Sequence, residues 1–312
     1  MSVAAGLPPC LTAPRPAPLT LAEAQQRFDR EATQGVLDTG RYRCRYAVWG
    51  DGPPLLFVPG LSDRGDVFVL LTALLSRDFR CITYDLPLGG ADRARLHRTT
   101  HASLVADALA LLDYLRVRQS YLYGASFGST VALRLLHDHP ERFPRGVLQG
   151  GFARRPLAPA EWLLARAARH WLGTINRLPL FQTLQRHAHF GPFASRPPDV
   201  WRYYLDDDRP IAAVATHALL LHATDLRPIL RDVRQPVLLV CGDCDPLVSR
   251  SCEEVLLEGL PNAGRVEIGG CGHLPYLTHP EALAEVVRQF LTPPALASGG
   301  RQLPGCDFSP EG

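Results

Sequence analysis

Gly124-Ala-Ser126-Phe-Gly128 holds the residue whose chemistry is easiest to name. A G-x-S-x-G pentapeptide that leaves a strand and opens a helix carries its serine on a sharp turn, with the hydroxyl exposed. The two glycines spare room where a Cβ would meet the neighbouring strand and helix. A helix beginning at Phe127 favours negative charge beside the serine. Such a serine can attack a carbonyl carbon, provided a base takes its proton and a third group orients the base. Without those partners the pentapeptide is only a glycine-rich turn.

The chain has 11 His to choose from. His273 closes Gly269-Gly-Cys-Gly-His273, a glycine-rich loop directly after the last strand. Loops at strand ends are where functional side chains gather. His279 precedes Pro280 and reads as the start of a helix. His170, His187, His189, His217 and His222 fall in a segment without strands and read as surface or cap packing. The orienting acid is expected between serine and histidine in chain order. Gly242-Asp243-Cys-Asp245-Pro-Leu-Val248 follows an apolar strand and supplies Asp245. Asp243 reads as the turn residue, bonded to its own backbone. Gln149-Gly-Gly-Phe152, after the preceding strand, offers no carboxylate.

Acyl transfer also develops an oxyanion, which two backbone N–H groups can bind. Phe127, just after the serine, is one donor. Leu61 in Pro59-Gly60-Leu61-Ser62 is the other, with Ser62 adding its N–H or hydroxyl as a substrate contact.

These residues need a scaffold. Leu55–Val58, Cys81–Tyr84, Tyr121–Tyr123, Gly146–Gln149 and Pro236–Val240 read as short buried strands, and Arg265–Ile268 as a sixth. Helical stretches at Val67–Leu75, His101–Leu115, Phe127–His137, Cys252–Leu260 and Pro280–Leu291 separate them. Continuous apolar strands alternating with helices predict an α/β fold, a mostly parallel central sheet with helices on both faces. Tyr42–Trp49 adds an alternating strand before the first of them. Residues 1–40 read as an N-terminal arm with one short helix, opened by the capping box Thr20-Leu-Ala-Glu23. Residues 41–151 and 231–292 form the core, 152–230 a helical insertion and 293–312 a disordered tail. The insertion carries Trp162, Trp171 and Trp201, with Phe181 and Phe190, and these are expected to line an apolar pocket.

Composition narrows the chemistry further. Lys and Arg number 33 and Asp and Glu 31, a net charge of +2 that argues against a nucleic-acid partner. All 33 basic residues are Arg; there is no Lys. That removes Schiff-base and P-loop chemistry. It also removes a Ser–Lys dyad, so histidine is the base available to Ser126. No apolar run approaches a transmembrane length, and Met1–Thr20 lacks the pattern of a secretory signal. The 8 Cys are therefore read as reduced thiols in a cytoplasmic protein. Cys241-Gly-Asp-Cys244 is a C-x-x-C that leaves a strand rather than opening a helix, and is read as structural. Cys271, near His273, and Cys244, beside Asp245, leave open a thiol-sensitive site.

Together, Val58-Pro-Gly60, Tyr84-Asp85-Leu-Pro87, Tyr123-Gly-Ala-Ser126-Phe-Gly128, Gly242–Val248 and Gly272-His273 resemble the α/β-hydrolase superfamily over roughly Arg41–Leu291. The resemblance implies an α/β-hydrolase fold whose insertion is a lid between the sixth and seventh strands. It implies a structural role for Asp85. It departs from the family at Pro59, where His is common, and at Ala125, where His or Gln is. The resulting expectation is a serine hydrolase of a small, apolar carboxylic ester. Ser126, His273 and Asp245 act, without metal or organic cofactor, on a small-molecule substrate. C–C bond hydrolysis, aminopeptidase action, acyl transfer and cofactor-free peroxidation remain open on the same residues, as does a catalytically silent binding protein.

Overall fold

The computed structural model describes residues 18–89, 96–177, 198–206 and 208–292. Eight strands form one sheet in the order β1-β2-β4-β3-β5-β6-β7-β8. They are β1 (Thr33–Asp38), β2 (Arg43–Trp49), β3 (Pro54–Val58), β4 (Arg80–Tyr84), β5 (Tyr121–Ala125), β6 (Gly146–Gln149), β7 (Val237–Gly242) and β8 (Ala263–Ile268). The β1–β2 and β2–β4 pairs are antiparallel, and every other pair is parallel.

Alternation along the central strands fills both faces. In β3, Leu56 and Val58 enter one core, and Leu55 and Phe57 enter the other. In β5, Leu122 and Tyr123 divide the same way. The first core is covered by α3 (His101–Tyr114), α4 (Phe127–Asp138) and α8 (Arg250–Gly259). The second is covered by α1 (Leu21–Glu31), α2 (Val69–Leu75) and α10 (Pro280–Leu291). Each fully buried Leu or Phe contributes about 1.5–3 kcal/mol, which is why these strands read as unbroken apolar runs.

The capping box at the start of α1 is formed: Thr20 Oγ1 accepts the Glu23 N–H, and the Glu23 carboxylate accepts the Thr20 N–H. The N-terminal segment departs from expectation after α1. Residues 33–38, assigned to the arm, pair with β2 as an edge strand. Most of β1 is exposed or half-buried, so no alternating apolar signal marks it. The segments 1–17 and 293–312, expected as arm and tail, lie outside the described residues.

Between β6 and β7 the chain runs through α5 (Pro159–Ala168), α6 (Pro198–Leu205) and α7 (Ile211–Ala223). A four-residue helix, α9 (Pro275–Thr278), follows the β8 loop. Sheet order reverses at β3: the chain goes from β3 to β4 on one side and returns to β5 on the other. Ligand crevices of open α/β sheets form at the carboxyl ends of strands flanking such a point.

Candidate active site

β5 ends at Ala125, and Ser126 takes φ 49° and ψ −117° before α4 begins at Phe127. A positive φ on a residue with a Cβ costs on the order of 1–3 kcal/mol and persists only where the surroundings impose it. Two contacts impose it here. The Ser126 N–H donates to the Gln149 carbonyl of β6 at 2.8 Å. Gly128 is wedged beneath β3, where an added Cβ would stand 2.2 Å from the Val58 carbonyl oxygen.

His273 comes from the loop after β8 and Asp245 from the loop after β7. His273 Nδ1 lies 2.7 Å from Asp245 Oδ2, and both side chains are almost fully buried. The other carboxylate oxygen of Asp245 accepts the Leu247 and Val248 N–H groups at 2.8 and 3.0 Å. Burial raises the Asp245 carboxyl, but the hydrogen bond and charge of His273, with those two N–H groups, outweigh it. The net effect holds the carboxyl below its ordinary value. The two loops are tied elsewhere too. Asp243 accepts the Cys271 N–H at 3.0 Å, so it bridges the loops as well as bonding its own backbone N–H. Gln149 Nε2 donates to the His273 carbonyl at 2.9 Å. Gly150, at φ +53°, leaves the imidazole its space: a Cβ there would lie 2.9 Å from His273 Cε1.

Ser126, His273, Leu61 and Phe127 all line one cavity of about 190 Å³. The expected base, nucleophile and N–H donor residues are thus brought together at the carboxyl ends of β3, β5 and β8, with Asp245 behind His273. Asp85 accepts the Arg45 Nε–H at 2.8 Å and the Gly65 N–H at 2.9 Å, which is a structural role. His279 bonds its neighbour Thr278 at 3.0 Å and starts α10.

Four expected substrate contacts are placed elsewhere. Ser62 is fully buried, and its hydroxyl lies 2.9 Å from His217 Nδ1. Trp162 packs by Arg166 and His222. Trp171 is 62% exposed. Trp201 lies against the second core. None of the four lines the cavity among the described residues; Phe181 and Phe190 fall outside those residues, as do His187 and His189. The observed wall from the insertion is Phe152, Arg155, Ile175, Tyr204, Arg209, Val214 and Leu221.

His217, read as surface or cap packing, is a correction. It is fully buried on α7 between Val214 and Leu221, and its ring stacks on Phe127 with centroids 5.6 Å apart. Sequence reasoning also passed over Asp63, Arg155 and Arg209, which line the cavity. They join it from three distant segments, and no local pattern links them. The thiols near the site carry raised pKa values: burial pushes Cys271 up to about 11 and also raises the half-buried Cys244.

Comparison with known proteins adds to this geometry. Residues 53–280 match the family model described as alpha/beta hydrolase fold. The chain is 33% identical over 248 residues to a pimeloyl-[acyl-carrier protein] methyl ester esterase of Aromatoleum aromaticum, covering 75% of this chain and 96% of that one. It is 26% identical over 244 residues to a poly(3-hydroxyalkanoate) depolymerase of Ectopseudomonas oleovorans, covering 76% and 84%. Among solved structures, the enol-lactonase of Burkholderia xenovorans superposes with a TM-score of 0.74 at 22% identity, over 83% of this chain and all of that one. At that identity the likeness concerns the fold. Among the described residues no helix is long and apolar enough to cross a membrane.

Proposed function

The chain belongs to the α/β-hydrolase family and is a hydrolase, and from that premise we propose that it cleaves small carboxylic esters through Ser126, His273 and Asp245. The observation that carries the proposal is the 2.7 Å bond between His273 and Asp245 beside a backbone-strained Ser126, with Ser126 and His273 on one cavity.

In this reading Ser126 Oγ attacks the ester carbonyl. Asp245 accepts from His273 Nδ1–H and so fixes the tautomer that leaves Nε2 as the base. The N–H groups of Leu61 and Phe127 stabilise the tetrahedral oxyanion. His273 then passes its proton to the leaving alcohol, and an acyl-enzyme remains. Water, activated by the same imidazole, releases the acid. The cycle is complete without a metal or organic cofactor.

Leu61, Phe127, Phe152, Ile175, Val214 and Leu221 on the cavity wall support an apolar acyl group. The esterase and depolymerase names of the relatives support an ester bond. Residues 152–230 act as the lid, a role supported by the wall they contribute. A cytoplasmic location and a small-molecule substrate belong to the same proposal.

The test is a panel of esters of increasing acyl length, run with a covalent serine probe on wild type and Ser126→Ala. The probe should label wild type alone, and turnover should vanish in the variant. A folded wild type that is neither labelled nor active on any ester would overturn the reading in favour of a binding protein. Labelling without ester turnover would move it to C–C hydrolysis or acyl transfer on the same residues.

A further inference from the structure

The charges on the cavity wall do not balance in the same way. Arg209 Nη2 is 3.2 Å from Asp63 Oδ1. It also donates to the Tyr204 carbonyl at 3.1 Å, and its guanidinium lies 4.0 Å from the Tyr204 ring centroid. Both members of this ion pair are buried, so each neutralises the other in place. His273 faces Asp245 at 2.7 Å.

Arg155 differs. It lines the same cavity as Ser126 and His273, and no carboxylate lies within ion-pair distance of it among the described residues. Its Nε–H donates to the Leu247 carbonyl at 3.2 Å. Leu247 is two positions past Asp245, so the guanidinium is tethered to the loop that carries the acid. The Nη1 and Nη2 donors have no protein acceptor among the described residues. The preceding residue shows the contrast: Arg154 is exposed and lies 3.6 Å from Asp225.

A guanidinium held through Nε presents its outer nitrogens as a fixed fork. That fork matches the two oxygens of a carboxylate and is always charged. We propose that Arg155 is an anion subsite and that the ester hydrolysed carries a carboxylate at its far end. The inference rests on the reading of Ser126 as the nucleophile of an ester hydrolase.

Two observations select a carboxylate over a phosphate. A phosphate group carries a charge of about −1.5 to −2 and calls for a second cation, yet Arg209 is already committed to Asp63. The cavity is also small: about 190 Å³, below the roughly 300–1,000 Å³ usual for small-molecule sites. That suits a short acyl chain ending in one planar carboxylate. Hydrolysis of such a monoester adds water across the acyl C–O bond. One hydrogen of the water leaves on the alcohol, and the product is a dicarboxylic acid whose new carboxyl forms at Ser126.

The test compares a monomethyl dicarboxylate with a neutral methyl ester of equal length, in which an isopropyl group replaces the carboxylate. Wild type should favour the anion by about ten- to a hundredfold in kcat/KM. The preference should shrink as salt is raised. Arg155→Gln should collapse the ratio toward one, and Arg155→Lys should restore part of it, as a charge without the fork. Arg154→Gln should keep the wild-type ratio. Thermal melts establish that each variant is folded. If Arg155→Gln does not fold, competitive inhibition of wild type by a free dicarboxylate, absent for the matching diol, takes its place.

A wild-type ratio near one, or a ratio retained in folded Arg155→Gln, overturns the inference. So does preferential turnover of an ester bearing a phosphate in place of the carboxylate. Ester turnover that survives in Ser126→Ala instead removes the reading beneath it, so the two failures are distinct.

Discussion

The hydroxyl of Ser62 and the imidazole of His217 meet at 2.9 Å across 155 positions of sequence. Ser62 holds φ 58° there, a left-handed backbone rarely taken by a residue with a Cβ. His217 also stacks on Phe127, with ring planes 16° apart. One histidine of the insertion thereby touches the neighbour of Leu61 and the neighbour of Ser126.

That histidine should make the fold acid-sensitive. Burial pushes His217 down to about 4 from an ordinary value of 6.5. The native state therefore refuses a proton that the unfolded chain accepts. Stability from this group is full above the unfolded pKa and is lost as pH falls from 6.5 toward 4, by about 3 kcal/mol. His101, also lowered to about 4 by burial, acts in the same sense. Asp107, raised by burial to about 6, acts in the opposite one. Urea unfolding of wild type and His217→Gln across this range isolates the contribution. Wild type should lose about 3 kcal/mol more than the variant on acidification, and equal losses would refute it.

Asp245→Asn should retain the fold and lose turnover. Asparagine still reaches the Leu247 and Val248 N–H groups through its carbonyl, but its amide pairs with His273 in the wrong tautomer. The expected loss in kcat is about a thousandfold or more, at a KM close to wild type. A loss confined to KM would place Asp245 in substrate binding.

Replacing Ser126 should separate chemistry from strain. Ser126→Ala and Ser126→Gly both abolish ester turnover, but alanine keeps the forced backbone and glycine relieves it. Glycine also costs stability by loosening the unfolded chain. The net advantage of Ser126→Gly over Ser126→Ala is expected to be about 1 kcal/mol, read as a higher Tm. A glycine variant that melts below the alanine variant contradicts a strained elbow.

Activity should withstand brief alkylation. The thiolate is the reactive form; burial holds Cys271 protonated far above neutral pH and also raises the half-buried Cys244 beside Asp245. Iodoacetamide near neutral pH should leave ester turnover intact. Rapid inactivation, protected by substrate, would show one of these thiols to be exposed to reagent at the site.

The fold was legible where physics acts locally. β3 and β5 are buried on both faces, so their apolar runs announced themselves. Ser126, Asp245 and His273 each follow a strand in a glycine-bearing loop, and the G-x-S-x-G motif, the chain order and those loop positions together singled them out. β1 stayed hidden because an exposed edge strand needs no apolar alternation. The Ser62–His217 contact and the Asp63–Arg209 ion pair stayed hidden because each joins segments far apart in the chain. The tryptophans misled because their size made them candidates for the wall, whereas Trp171 is mostly in solvent and Trp201 packs on a core beneath.

Gln149 has one more consequence. Its carbonyl receives the Ser126 N–H and its side chain holds the His273 carbonyl, while the next residue, Gly150, bonds to Val240 of β7. The spacing of Ser126 and His273 is thus gauged by the end of a central strand rather than by the loops themselves. On heating, catalytic competence should disappear with the sheet and not before it. The temperature of inactivation would then coincide with that of global melting, and the helices over the cavity could fray earlier without moving either residue.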